Sequence, residues 1–123
     1  MHVADSGSTQ RRRAPIPGGP VAAPLMDTTT SDRVAVVHVE IPAGGGMPEH
    51  DHGPSQIVLI PLSGPVELRH GTELHTLTPG AAAHIDTGER VSLANPGTDT
   101  VSLMVVASPP EFASRLAAWP LDQ

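Results

Sequence analysis

Two imidazoles one residue apart, His50 and His52, stand in the stretch "MPEHDHGPSQIVLIPLSG" (Met47 to Gly64), at the entrance to an apolar run that reads as a buried strand. Side chains on a strand alternate faces, so the two rings would point the same way. Two neutral imidazoles on one face are the beginning of a site for a divalent transition metal, although such sites normally take at least three protein ligands. The same pair also has a use without metal. A neutral ring in a dry hollow can polarise a carbonyl or move a proton, which makes His50 and His52 the best catalytic candidates in the chain. Glu49 and Asp51 flank the pair and alternate to the other face, where they would shape a rim. The chain has no cysteine, so any metal would be held by nitrogen and oxygen, and thiol and disulfide chemistry are excluded. Ser55, Ser63, Ser92 and Ser102 lack the Gly-x-Ser-x-Gly elbow of a serine hydrolase.

The remaining histidines are weaker candidates. His84 alternates with Ile85, the better core residue, and is expected to face outward or into a groove between subunits, with a ligand role as the minor alternative. His70 and His75 flank a hairpin turn and read as solvated. His38 lies in "RVAVVHVEI", where Val37 and Val39 share one face and Val36, His38 and Glu40 the other.

The elements that must position these residues are short β-like runs separated by turn residues about every ten positions, starting at Arg33: "RVAVVHVEI", "SQIVLIPL", "PVELRH", "ELHTL", "AAAHI", "RVSLAN" and "TVSLMVVA". "PVELRH" and "ELHTL" predict a hairpin around Gly71 and Thr72. With no helix between the runs a parallel sheet is excluded, which leaves a sandwich or closed barrel. One domain is expected, in three parts. Residues 1–30 form a Pro/Gly-rich N-terminal tail, disordered or extended, with "VAAPLM" as an edge strand in the extended case; residues 31–108 form the barrel. In residues 109–123, Phe112, Leu116 and Trp119 fall at helical spacing and predict one short amphipathic helix. The chain has one Trp, one Phe and no Tyr, so aliphatic side chains must build the core. From Asp32 onward four Arg face eleven Asp and Glu, an acidic surface without stacking rings, which argues against nucleic acid as partner. No long apolar segment calls for a membrane, and a cytoplasmic location is the expectation.

The segment Gly44 to Gly64 resembles the first motif of the cupin superfamily: a Gly, five residues, His-x-His, three or four residues, Glu, and a Gly at the next turn. Gly44, His50 and His52 match, Gln56 takes the Glu position, and Gly64 comes one residue late. Gly80, Gly88 and Asn95 match the second motif, with Asp86 in place of Pro and Val91 in place of the third His. The resemblance implies an all-β, cupin-like jelly-roll barrel over about residues 33–107 and a small-molecule ligand in its cavity. It implies pairing into a homodimer. It also implies a metal shell of three His and one Glu, for Fe, Mn, Ni, Cu or Zn, of which His50, His52 and the neutral oxygen of Gln56 would remain. Two functions follow as expectations: a metal-dependent oxygenase, isomerase or decarboxylase with a reduced site, or a metal-free barrel binding a small ligand without catalysis.

Overall fold

The computed structural model describes residues 1–122 and contains ten strands and one short helix. The strands are β1 (Arg12–Arg13), β2 (Val21–Met26), β3 (Ala35–Ile41), β4 (Gly46–His50), β5 (Gln56–Pro61), β6 (Val66–His70), β7 (Glu73–Leu77), β8 (Ala83–Ile85), β9 (Val91–Ala94) and β10 (Val101–Ser108); the helix is α1 (Phe112–Leu116). They form two antiparallel sheets, one in the order β1-β2-β3-β10-β5-β8 and one in the order β4-β9-β6-β7. This is the all-β architecture expected from the turn spacing and the jelly roll implied by the resemblance, with the helix at its C-terminal side. β6 and β7 are joined by Gly71 and Thr72 alone.

Strand alternation sets the core. In the larger sheet Val37, Val105 and Leu59 lie abreast on the inner face, and Ala107, Ile57 and Ile85 form the next row. Ile41, Ile57, Leu59, Leu103, Val37 and Val66 are almost completely buried. A core of this kind gains about 1.5–3 kcal/mol for each large aliphatic side chain removed from water. On the outer face Val36, Val106, Val58 and His84 are abreast, and His38 pairs with Met104.

The N-terminal segment takes the extended of its two expected forms. "VAAPLM" is the six-residue strand β2, paired along β3, and Val21, Ala22, Ala23 and Leu25 are buried. Its apolar residues are too few to show a period, yet pairing with β3 supplies the burial that the isolated segment lacks. β4 is unforeseen as a strand from its Gly- and Pro-containing sequence. Gly46 is required there because a Cβ at that position would run into the Leu93 carbonyl oxygen of β9. Buried Asn95 anchors the same end. Its side-chain amide donates to the carbonyls of Ile41, Pro42 and Asp99, and its oxygen accepts the Gly97 N–H, so a polar group deep in the fold is fully satisfied.

Candidate functional site

Between the sheets lies a cavity of about 180 Å³. Its wall is hydrocarbon from β3, β5, β9 and β10, including Ile41, Ile57, Leu59, Leu93, Leu103 and Val105. Phe112, Leu116 and Trp119 close it from α1 and the turn after it. The polar residues reaching it are His50, Asp51, His52 and Arg115, gathered at one end.

His50 is the last residue of β4 and His52 sits in the loop that follows, and both line the cavity. The rings meet edge to face, with centroids 4.7 Å apart and planes at 71°, and His52 meets Phe112 the same way at 5.0 Å. His50 Nδ1 lies 2.8 Å from the Pro48 carbonyl oxygen. A carbonyl can only accept, so in the neutral ring Nδ1 carries the proton and Nε2 is left as the acceptor. His52 is 5% exposed, and its Nδ1 is buried without a hydrogen-bond partner. Burial, reinforced by the charges of His50 and Arg115 and opposed by Asp51, pushes the His52 pKa down from 6.5 to about 4. The ring is therefore neutral at pH 7.

The rim is built from ion pairs. Asp51 accepts the Gly53 N–H at 3.0 Å and contacts the guanidiniums of Arg115 and Arg90, each at 3.4 Å. The Gly53 N–H foremost, with Arg115 and Arg90 behind it, holds the Asp51 carboxyl below its ordinary value. Arg115 also donates to the Asp51 carbonyl at 2.9 Å, tying α1 to the histidine loop. Gly53 adopts a φ of +62°, and a side chain there would strike that guanidinium. Buried Ser55 ties the loop to the helix from beneath, donating to the Pro109 carbonyl at 2.6 Å and accepting the Phe112 N–H at 3.2 Å.

The ligand set expected around the two histidines is not brought together. Gln56 is exposed on the outer face, where its Oε1 lies 2.8 Å from His84 Nε2. Neither residue lines the cavity. The cause is alternation: Gln56 and Ile57 are consecutive on β5, and Ile57 takes the inner face. Ile57 follows His52 after four intervening residues, the other spacing the motif allows, and with it Gly64 is no longer late. Val91, buried and directly opposite His50 in the β4–β9 register, puts methyl groups where a third nitrogen would be needed. Asp51, the one carboxylate in the wall, is already engaged by two guanidiniums. Among the described residues no group of three or more His, Asp or Glu is arranged to hold a metal ion. Two imidazoles against hydrocarbon, without a third protein ligand, do not fit a transition-metal centre.

Other residues had given weaker sequence signals. His70 and His75 are exposed beside Glu89 and Glu73, at 3.5 and 3.3 Å. His38 faces outward from β3. Asp86 accepts the Thr87 N–H at 2.8 Å and opens the turn before β9. Arg115 had no part in the expected site. Its position one residue before Leu116 on the predicted helix was the available signal, and only the docking of α1 over the cavity gives it meaning.

Residues 37–107 match the cupin domain family. No curated protein is significantly similar to the chain. Among solved structures, the polyketide cyclase RemF from Streptomyces resistomycificus is similar at a TM-score of 0.76 and 23% identity, over 88% of this chain and 79% of that one. A predicted oxalate decarboxylase from Thermotoga maritima gives 0.75 and 18%, over 87% and 98% of the two chains. KdgF from a Halomonas species gives 0.75 and 16%, over 89% and 94%. At these identities the likeness establishes the fold.

Proposed function

The chain belongs to the cupin domain family, and from that premise we propose that it is a metal-independent barrel for one small, carbon-rich molecule bearing a single oxygen function. The observation that carries this reading is His52 Nδ1, a buried polar atom without a partner, set in a hydrocarbon wall. An unmade hydrogen bond on a buried group costs about 1–3 kcal/mol, so a ligand oxygen that reaches that nitrogen, by a turn of the ring toward the cavity, would recover most of it. An apolar cavity of about 150 Å³ accepts a benzene-sized molecule. A volume of about 180 Å³ therefore suits a single ring or a short branched chain. One of the structures it resembles is a polyketide cyclase, and a carbon-rich, oxygen-bearing molecule suits this wall.

Beyond binding, the imidazole pair supplies two distinct capacities. His52, with its low pKa, is a fixed neutral hydrogen-bond partner and a poor base. His50, with Nδ1 committed to Pro48, offers Nε2 to accept a proton from the same oxygen. Proton transfer at the ligand's oxygen is the chemistry open to the pair. A metal-dependent oxygenase, isomerase or decarboxylase, the other expectation from the sequence, would need two more donors than this wall provides.

The test compares phenol with toluene, equal in ring size and differing in the hydroxyl. Binding is followed through Trp119, the sole tryptophan and part of the cavity wall. Phenol should bind about two- to tenfold more tightly, the ratio expected for one hydrogen bond to a neutral group. His52→Leu should remove the preference while keeping toluene binding. If neither compound binds, or if phenol keeps its advantage in His52→Leu, the reading is wrong.

A further inference from the structure

The arginine run Arg11–Arg13 is a charged cluster of the sequence that the cavity does not use, and the structure gives it a specific neighbour: the last residues of the described chain. Arg12 Nη1 donates to the Trp119 carbonyl at 2.7 Å. The Arg13 N–H donates to the Pro120 carbonyl and the Asp122 N–H to the Arg11 carbonyl, both at 2.9 Å, and Arg12 bridges Leu121 as an antiparallel partner. The Arg13 guanidinium meets the Asp122 carboxylate at 2.9 Å, and Arg11 meets Glu40 of β3 at 3.1 Å. The chain segment gripped in this way leads directly out of the cavity's cover, since Phe112, Leu116 and Trp119 all line the hollow. On the far side of α1 the cover is tied once more, by Arg115 to Asp51.

We propose that residues 112–122 form a lid over the barrel cavity and that the arm at residues 11–13 is the clasp that holds it shut, so that release of the clasp sets how fast a small molecule enters and leaves. A five-residue helix has too few internal hydrogen bonds to stand alone, so its position depends on what holds its two ends. The ion pairs are few and solvent-exposed, and surface pairs of this kind contribute little each, while buried Ser55 holds only the start of α1 and leaves the segment beyond it to the clasp. Segments held by such links are the ones that open locally while a core remains closed. The lid residues themselves are apolar on the inner side, with Leu116 3% exposed, so the open state is a minor one that recloses.

The inference rests on the proposed binding cavity for its meaning, but one arm of its test needs no ligand. Acrylamide quenching of Trp119 measures lid opening in the protein alone. Asp122→Asn and Arg13→Gln should each raise the quenching constant, and should raise the toluene association rate about two- to fivefold, the ratio that an exposed ion pair is worth. Added salt should act in the same direction on the wild type. The second arm is a lock. Arg12→Cys with Leu121→Cys places the only two thiols of the chain on directly paired positions, a spacing that a disulfide spans. The oxidised form should protect Trp119 from acrylamide and slow toluene uptake at least tenfold, and reduction should restore both. If the oxidised and reduced forms quench alike, the lid is a fixed part of the core and the proposal fails, whatever binds inside. If quenching changes but toluene uptake does not, the segment opens without guarding the cavity, and the proposal fails in that form. A wild type that takes up no toluene, with quenching still governed by the lock, would overturn the binding reading and leave the clasp as a hinge with no cargo.

Discussion

Two groups of histidines occupy this small barrel, and they differ in everything except residue type. His50 and His52 look into hydrocarbon, one ring nearly sealed from water and its nitrogen unpartnered. His70, His75 and His84 line an outer groove of about 320 Å³ between β8 and the β6–β7 hairpin, each within reach of an oxygen from Glu89, Glu73 or Gln56. The outer groove has more imidazoles and more carboxylates than the cavity. Its rings are nevertheless solvated and paired off one by one, so water and neighbours have already satisfied them. The cavity has fewer polar atoms, but one of them is unsatisfied, and an unsatisfied atom in a dry wall is what gives a ligand something to gain.

The largest effect expected from breaking this contrast comes from placing a charge inside. Ile57→Glu would bury a carboxylate beside the imidazoles and should cost about 3 kcal/mol or more in urea unfolding at pH 7, with the loss easing as the pH falls and the carboxyl is neutralised. Next in size is the pH dependence of stability carried by His52. Its folded pKa of about 4 lies below the unfolded value of 6.5, so the unfolded chain binds the extra proton first. The His52 contribution is therefore complete above pH 6.5 and is lost as the pH falls toward 4, by up to about 3 kcal/mol. His52→Leu should remove that part of the slope while carboxylate contributions remain. At pH 7 the same variant should be as stable as the wild type or more stable by about 1 kcal/mol, because an unpaired polar atom leaves the core. Smallest are the outer variants: His70→Gln and His75→Gln should each stay within about 0.5 kcal/mol of wild type by denaturant midpoint.

How much of this could be read beforehand divides along physical lines. The aliphatic strands from β3 to β10 announced themselves because alternation and turn residues recur at short range, and the Gly71–Thr72 hairpin followed from its spacing. β2 and β4 did not. Their pairing depends on partners far along the chain, Ala22 with Val39 and Gly46 with Ala94, and local composition says nothing of that. At the site, the motif identified the histidine pair, while a slip of one residue on β5 exchanged Gln56 for Ile57 and with it a polar ligand for a methyl group. On a strand a single-residue offset reverses the face, which is why the inward position had to be seen rather than counted. Arg115 and the clasp were out of reach for the same reason as β2, since their meaning lies in contacts across more than half the chain.

The most direct test of the central claim, a neutral and unpartnered imidazole inside an apolar cavity, is a pH titration of the His52 ring resonances by NMR in the ligand-free protein. A midpoint near 4 is predicted, with the ring neutral throughout the physiological range. A midpoint at or above the ordinary 6.5 would mean that water or a charge partner reaches the ring, and would contradict the account.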